Sequence, residues 1–159
     1  MIDIRPYQAS DVPSILALLA QLQAVELAYQ PARKSAPEVG AKDIWEETTT
    51  FLTDGKADVL VASAEGKVIG VGIGYETVLG DQSLELAVRR VGYVSDLVVD
   101  AAWRGKGIGR AVLQDLMECF RKRGLKTARI GAIIENQGAI RLYQEMGFAQ
   151  VSVAMERPL

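Results

Sequence analysis

The sequence has no histidine among its 159 residues, and this absence restricts the possible chemistry more than any other feature of the composition. Histidine is the commonest general base, the partner of serine and cysteine nucleophiles, and a ligand in nearly all zinc sites. We therefore expect neither a catalytic triad nor a metal site of that kind, and no covalent enzyme intermediate.

Cysteine and long apolar runs are also scarce, and there is no surplus of positive charge. A single cysteine, Cys119, excludes an internal disulfide and fits a reducing compartment. Its place within a predicted helix indicates core packing and not a reactive thiol. The formal net charge of −2 argues against a nucleic-acid partner. No leader opens the sequence and no apolar run approaches membrane-spanning length, so we expect a soluble cytoplasmic protein with no membrane partner.

Hydrophobic residues make up 49% of the sequence, which suits a single domain over residues 1–159. Their spacing predicts alternating strands and helices, with antiparallel pairing across residues 58–99. Glycines 70, 72 and 74 occupy one face of a strand and would let another element or a ligand approach closely. The predicted order is strand 2–5, helix 11–24, loop 25–41, helix 41–52, strands 58–65, 67–79 and 84–99, a helix ending at 124, strand 127–134, a helix from 136 to 147, and strand 148–155.

The stretch at 98–110, VVDAAWRGKGIGR, passes from an apolar strand through a short turn into a helix with three alternating glycines. Glycines at a helix start leave backbone N–H groups uncovered, and the positive end of the helix dipole lies there. Together with Arg104, Lys106 and Arg110, these donors predict a seat for a phosphate or pyrophosphate. A glycine-rich turn without a ligand is the alternative.

A helix that leads from the strand ending at Val99 to the strand at 127–134 predicts a parallel crossover. The helices that follow these two strands then begin at the same end of the sheet, where ligands bind in open α/β sheets. Asn136 and Tyr143 are two helical turns apart and share a face that can point there. Asn136 is also a good N-cap, and Tyr143 is also a good core aromatic, so both interpretations stay open.

Two motifs carry a family resemblance. The strand LVV at 97–99 followed by RGKGIG at 104–109 resembles the R/Q-x-x-G-x-G/A acetyl-CoA signature of the GNAT superfamily of N-acetyltransferases. The segment NQGAIRLYQEMGF at 136–148 resembles that superfamily's N-x-x-A-x-x-x-Y-x-x-x-G-F motif. The order of predicted strands and helices also matches the superfamily over nearly the whole sequence.

The resemblance implies an α/β fold with a mixed, mostly antiparallel central sheet, about four flanking helices, and a splayed parallel strand pair at the cofactor site. It implies an acetyltransferase that uses acetyl-CoA, without a metal, to acetylate a primary amine of a small molecule or peptide by direct transfer, and that forms a homodimer. Tyr143 would be the general acid that protonates the leaving thiolate. The residues implied to bind acetyl-CoA are Leu97, Val98, Val99, Arg104, Gly105, Lys106, Gly107, Ile108, Gly109, Arg110 and Asn136.

The general base is less clearly indicated. Polyamine acetyltransferases carry a glutamate just before an aspartate on this strand, and here the pair is Ser95-Asp96. Strand alternation places Val94, Asp96 and Val98 on one face. Asp96 is therefore a candidate base, acting through water, or else a residue that fixes a loop; Glu76 on the preceding strand is another candidate. The departure at Ser95 weakens any inference of polyamine specificity.

Two other functions compete with this one. A dinucleotide-binding module is disfavoured, because Arg110 stands where the G-x-G-x-x-G pattern needs its last glycine and only one crossover strand follows. A non-catalytic acyl-CoA-binding or regulatory domain of the same fold stays open, since a fold does not guarantee turnover. For an enzyme, the acceptor could be a polyamine, an amino acid, an aminoglycoside-like amine or a protein N-terminus. Residues 25–41, the 76–84 turn and the N-terminal helices would shape its pocket.

Overall fold

A computed structural model describes residues 1–29, 35–80, 85–155 and 157, and in these ranges one five-stranded sheet forms the centre of the molecule. The strands lie in chain order; the first four are antiparallel, and the fourth and fifth are parallel. The predicted mixed sheet and its parallel crossover are therefore confirmed. The elements are β1 (Ile2–Pro6), α1 (Val12–Tyr29), α2 (Pro37–Thr53), β2 (Ala57–Ala64), β3 (Lys67–Val78), α3 (Leu86–Arg89), β4 (Arg90–Val99), α4 (Ile108–Lys122), β5 (Ala128–Ile130) and α5 (Gln137–Glu145).

Helix α4 packs closely on one face of the sheet because glycines on β3 and β4 leave room for it. A Cβ added at Gly72 would lie 2.5 Å from Val112, and one added at Gly74 would lie 2.6 Å from Phe120. The glycine row on β3 was predicted to admit an element or a ligand, and the structure fills that space with α4. The buried residues of this cluster, named here the α4-side core, include Leu60, Ala62, Ile69, Val94, Ile108, Val112, Leu113, Leu116 and Phe120.

Helices α1 and α2 cover the opposite face. Ile15, Leu18 and Leu19 of α1 are fully or almost fully buried there. The cluster that they form with the sheet, named here the α1-side core, also contains Ala41, Val59, Val61, Val71, Ile73 and Val98. The sheet is thus buried on both faces, with helices on each.

The N-terminal helices are longer than their predicted extents. Helix α1 continues to Tyr29, and α2 begins at Pro37, whose fixed φ suits the first turn of a helix. The loop predicted at 25–41 was therefore wrong at both ends; its residues 30–34 lie outside the described residues. By length and composition alone the helical stretch Ala9–Tyr29 could also cross a membrane, contrary to our expectation. Its core-facing side is packed on the sheet, as in a core helix of a globular domain.

Three further predictions differ from the structure. The strand expected over 84–99 begins only at Arg90, after the short helix α3; Leu84 lies outside the described residues. The strand expected over 127–134 is reduced to β5. The strand expected at 148–155 does not form: these residues carry no strand pairing, and Val151, Val153 and Met155 are 73%, 74% and 85% exposed.

Candidate functional site

The turn before α4 has the backbone geometry that its glycines allow. Gly105 and Gly107 have φ values of 76° and 78°, in the left-handed region that side chains disfavour. A Cβ at either position would meet nothing within 4 Å, so the surface above the turn is open. The first α4 bond at this end runs from Ala111 N–H to the Gly107 carbonyl, 3.1 Å away. The N–H groups of residues 108–110 therefore have no acceptor within the helix.

The three cations of this turn all have partners within the protein. The Arg104 guanidinium donates to the Val99 carbonyl at 3.0 Å, and the Lys106 ammonium lies over the Trp103 ring, 4.5 Å from its centre. Neither partner is anionic, so both positive charges persist beside the open amides. Arg110 instead forms an ion pair with Glu145 of α5, which offsets its charge and joins the two helices.

A contact from α1 fixes the approach to this turn. The Gln21 side-chain amide donates to one Asp100 oxygen at 3.0 Å, while the other oxygen accepts the Ala102 N–H at 2.9 Å. Asp100 directly follows β4, and its backbone N–H donates to the Ile69 carbonyl at 2.8 Å. The start of the β4–α4 connection is therefore held to both β3 and α1.

Strand β4 carries a bulge at Ser95. Ile73 pairs with Asp96 and Gly74 pairs with Val94, so Ser95 is the extra residue on β4. The Ser95 hydroxyl lies 3.4 Å from the Ile73 carbonyl, to which it donates. This extra residue reverses the alternation: Val94 lies in the α4-side core and Val98 in the α1-side core. The prediction that both share a face was therefore wrong.

The parallel strands separate just past this bulge. Their pairing ends at Val94 and Ile130, and residues 131–133 continue without strand pairing. In the described part of the chain, no strand covers the β5-facing edge of β4 from Ser95 to Val99. Apart from the Val99 carbonyl, which accepts from Arg104, the backbone N–H and C=O groups on that edge are consequently available to a ligand that carries amides of its own.

A cleft of about 90 Å³ occupies the separation. Helix α1 lines it from one face of the sheet, and α5, whose Tyr143 packs against the α4-side core, lines it from the other face. The cleft therefore passes between the strands and links the two faces. Its described lining residues are Leu22, Val25, Glu26, Tyr29, Val94, Ser95, Asp96, Leu97, Ile130, Gly131, Ala132, Ile133, Asn136, Ala139 and Tyr143.

Asp96 places a carboxyl group in this cleft and is 9% exposed. Burial raises the pKa of Asp96 to about 6; a hydrogen bond with Ser95 lowers it, and the negative charges of Glu26 and Glu47 raise it further. A carboxyl with a pKa of about 6 is ionised at neutral pH and still takes up a proton readily.

Tyr143 brings a phenol to the same cleft. Burial raises the pKa of Tyr143 to about 12, so the hydroxyl is a proton donor at neutral pH. Its ring packs edge-on against Phe148, with centroids 6.1 Å apart. Asn136 also lines the cleft, and its Oδ1 accepts the Ala139 N–H at 3.1 Å. The capping interpretation of Asn136 is thus confirmed, and its contact with a cofactor stays a prediction.

Glu76 lies elsewhere. It is ion-paired with Arg90 at 2.7 Å, and this hydrogen bond lowers the pKa of Glu76. It does not line the cleft, so the structure gives no support to Glu76 as the base.

Sequence reasoning missed two acidic residues of this region, Glu26 and Glu47. Glu26 falls in the predicted loop 25–41 and Glu47 in the predicted helix 41–52, and neither was given a role. The absence of proline or glycine between Pro13 and Pro31 was a signal that α1 could continue past Glu26. Among residues 1–29, 35–80, 85–155 and 157, no group of three or more cysteine or carboxylate side chains could hold a metal ion.

Comparison with known proteins decides the family. A model of the acetyltransferase (GNAT) family matches residues 20–148. The chain belongs to the GNAT family of acetyltransferases. The resemblance recognised in the two motifs is thereby confirmed, and the chain is an acyltransferase of a family that uses acetyl-CoA.

Individual relatives agree with this assignment. Glucosamine 6-phosphate N-acetyltransferase 1 of Oryza sativa subsp. japonica is 32% identical over 153 residues, which cover 96% of this chain and 84% of the relative. A local match to the Methanocaldococcus jannaschii protein named uncharacterized N-acetyltransferase MJ1207 is 35% identical, but spans 41% of this chain and 29% of that protein. Among solved structures, the aminoglycoside N-acetyltransferase AAC(6')-Iy in complex with CoA superposes with a TM-score of 0.75 at 16% identity, covering 100% of this chain and 95% of that one. At that identity the likeness shows the fold alone.

Proposed function

We propose that this GNAT acetyltransferase transfers the acetyl group of acetyl-CoA directly to a primary amine of a small molecule or peptide. One observation carries the proposal. The strand separation beside the open glycine turn holds a buried carboxyl, Asp96, and a protonated phenol, Tyr143, in a single cleft.

The chain's backbone fits the diphosphate and amide groups of acetyl-CoA. Residues 108–110 offer N–H groups without helical acceptors, at a turn that no Cβ obstructs. Arg104 and Lys106 add two positive charges, and their direct partners, the Val99 carbonyl and the Trp103 ring, carry no negative charge. The unpaired edge of β4 that includes Leu97, Val98 and Val99 fits the amides of the pantetheine arm. We assign the same role to Gly105, Gly107, Ile108, Gly109, Arg110 and Asn136 as the family motifs imply.

Bound acetyl-CoA would supply a thioester, whose carbonyl a neutral amine can attack without a covalent enzyme intermediate. Asp96 accepts the proton that the attacking amine releases, directly or through a water molecule. Tyr143 donates its hydroxyl proton to the departing thiolate sulfur. The Ser95 bulge interrupts the pairing of β4, and a backbone N–H left unpaired there would polarise the carbonyl oxygen. The products are an N-acetyl amine and CoA thiol, and the proton taken up by Asp96 returns to the Tyr143 phenolate through solvent.

Two measurements test the proposal. Calorimetric titration should show one acetyl-CoA site per chain and no comparable heat with NAD or ATP. Thiol release from acetyl-CoA should depend on an added amine across a panel of monoamines, diamines, amino sugars and peptides. Binding without amine-dependent release would instead establish the non-catalytic acyl-CoA-binding alternative and refute the proposed reaction.

The homodimer and the cytoplasmic location stay predictions. Light scattering on the purified protein measures the first, and cell fractionation measures the second.

A further inference from the structure

Helix α5 carries Tyr143 but is weakly anchored in the fold. All nine residues of α5 are described and none of them is buried, whereas five side chains of α4 are buried. The segments on either side of α5, residues 131–136 and 148–155, make no strand pairing with the described part of the chain. A helix this short is marginal in water when it is undocked, and elements with few buried contacts open locally at low free energy. The position of Tyr143 therefore depends on the few contacts that hold α5.

One ion pair ties α5 to its neighbour. The Glu145 carboxylate accepts from the Arg110 guanidinium of α4. Within residues 1–29, 35–80, 85–155 and 157, this pair is the only hydrogen bond or ion pair that joins α5 to another helix or strand. The remaining hydrogen bonds of α5 stay within the helix or reach residues that adjoin it.

An apolar approach supports this tie on the same side of α5. A Cβ built at Gly109 would lie 3.8 Å from the Leu142 side chain, so α5 passes close to the first turn of α4. Leu142 and Glu145 are three residues apart and share a face of the helix. Tyr143 lies between them in the same helical turn. The contacts at Gly109 and Arg110 thus fix the turn of α5 that carries the phenol.

The ion pair is accessible to solvent, since the Arg110 and Glu145 side chains are 39% and 62% exposed. Such a pair adds little to the stability of a whole domain, because water screens it and holding both side chains costs entropy. Its effect falls on α5, for which the described residues provide no other polar tie. A displacement of about 1 Å can cost a catalytic group about 100-fold in rate, so even slight loosening of α5 affects the reaction.

We propose that Glu145 is a positioning residue. By pairing with Arg110 it holds α5 against α4 and keeps the Tyr143 phenol at the cleft. Glu145 occupies an x position of the N-x-x-A-x-x-x-Y-x-x-x-G-F motif, so the family resemblance assigns it no role. The inference rests on the proposed role of Tyr143 as the proton donor.

Hydrogen exchange of the protein without acetyl-CoA tests the docking directly. In Glu145→Gln, the α5 amides should exchange about two- to fivefold faster, while those of α4 beyond its first turn keep their wild-type rates. Glu118→Gln is the matched control, because it breaks an exposed ion pair with Arg121 within α4, 3.2 Å long, and should leave α5 exchange unchanged. Arg110 is not altered, since it is also assigned to the diphosphate.

Steady-state kinetics with acetyl-CoA and the most active amine of the panel described above test whether the docking acts through the phenol. Glu145→Gln should lower kcat about three- to tenfold and leave the KM for the amine within twofold. In a Tyr143→Phe background the same change should leave kcat within twofold, because no proton donor is then left to position. Glu118→Gln should change neither constant.

The outcomes separate this inference from the proposed function. Faster exchange throughout the chain, or a kcat loss that persists in the Tyr143→Phe background, would give Glu145 a general structural role and overturn the inference. Unchanged α5 exchange would also overturn it, and would leave the proposed acetyl transfer standing. Acetyl-CoA binding with no thiol release from any amine would refute the proposed function and with it the positioning role, even where α5 exchanges faster in the variant.

Discussion

The two faces of the sheet differ in how tightly helices pack on them. On the α4 side, glycines at 72, 74 and 92 let helix side chains reach the backbone. On the α1 side, the strands carry a buried carboxyl and open into a cleft at the same point. The comparison teaches that the α4 face is closed by tight packing, whereas the α1 face keeps room for a buried carboxyl beside its own core. The bulge at Ser95 makes this possible, because it turns Asp96 away from the α4-side core.

Replacing the buried carboxyl on the α1 side of the sheet should have the largest effect of the substitutions considered. Asp96→Asn should lower kcat about 10²- to 10⁴-fold, as expected for loss of a general base. The same change should stabilise the fold at pH 8. Because the pKa of Asp96 is raised from 3.8 to about 6 on folding, its stabilising effect is complete below about pH 4 and is lost as pH rises through 6. That loss corresponds to about 2–3 kcal/mol at 1.36 kcal/mol per pKa unit.

Urea unfolding between pH 4 and 8 measures the effect on stability. In a separate assay, the acetyl-transfer rate of the wild type should rise with pH through about 6. A variant that is equally active, or that is less stable at pH 8 than the wild type, would contradict the role given to Asp96.

Removal of the phenol tests the α5 side of the cleft. Tyr143→Phe keeps the ring and its contact with Phe148, and should lower kcat about 10²-fold while the acetyl-CoA Kd stays within twofold. Turnover and calorimetry are measured on the same preparation. Unchanged turnover would remove Tyr143 from the reaction.

A side chain added in the glycine row of β3 should disrupt helix packing on the α4 face alone. Gly72→Ala would place a Cβ 2.5 Å from Val112 and 2.9 Å from Leu116, two fully buried side chains of the α4-side core. We expect a loss of about 1–3 kcal/mol of unfolding free energy. Gly80→Ala is the matched control, since its Cβ meets nothing within 4 Å. Equal stability of the two variants would show that α4 yields more easily than its packing indicates.

The smallest effect is expected at the glycine turn. Gly107→Ala forces a side chain into φ 78° and should cost about 1 kcal/mol of stability and weaken acetyl-CoA binding several-fold. Gly124→Ala imposes the same strain at the other end of α4, at φ 75° and with open space around it. It should lose similar stability with an unchanged acetyl-CoA Kd. A parallel loss of binding in both variants would assign the effect to the helix, not to the turn.

Local patterns made much of this fold predictable. The glycine turn, the crossover from β4 to β5, and the cap at Asn136 each depend on residues within a few positions of one another. Their glycine spacing, helical periodicity and N-cap are visible directly in the sequence. The two family motifs lie in these segments, which is why the family could be identified from them.

What sequence reasoning missed depends on long-range pairing. Alternation cannot show an extra residue such as Ser95, since only its partner strand defines the register. The apolar segment 148–155 has the composition of a strand but no strand partner in the described part of the chain. Glu26 and Glu47 were missed because they belong to different helices, and both act on Asp96 only when α1 and α2 pack on the sheet.

The separation of β4 from β5 has a kinetic consequence. Because the cleft runs through the sheet, each substrate can enter from its own face, and neither has to leave before the other binds. Double-reciprocal plots of the steady-state rate should therefore give intersecting lines, as expected when both substrates form a ternary complex. They should not give the parallel lines of a ping-pong mechanism.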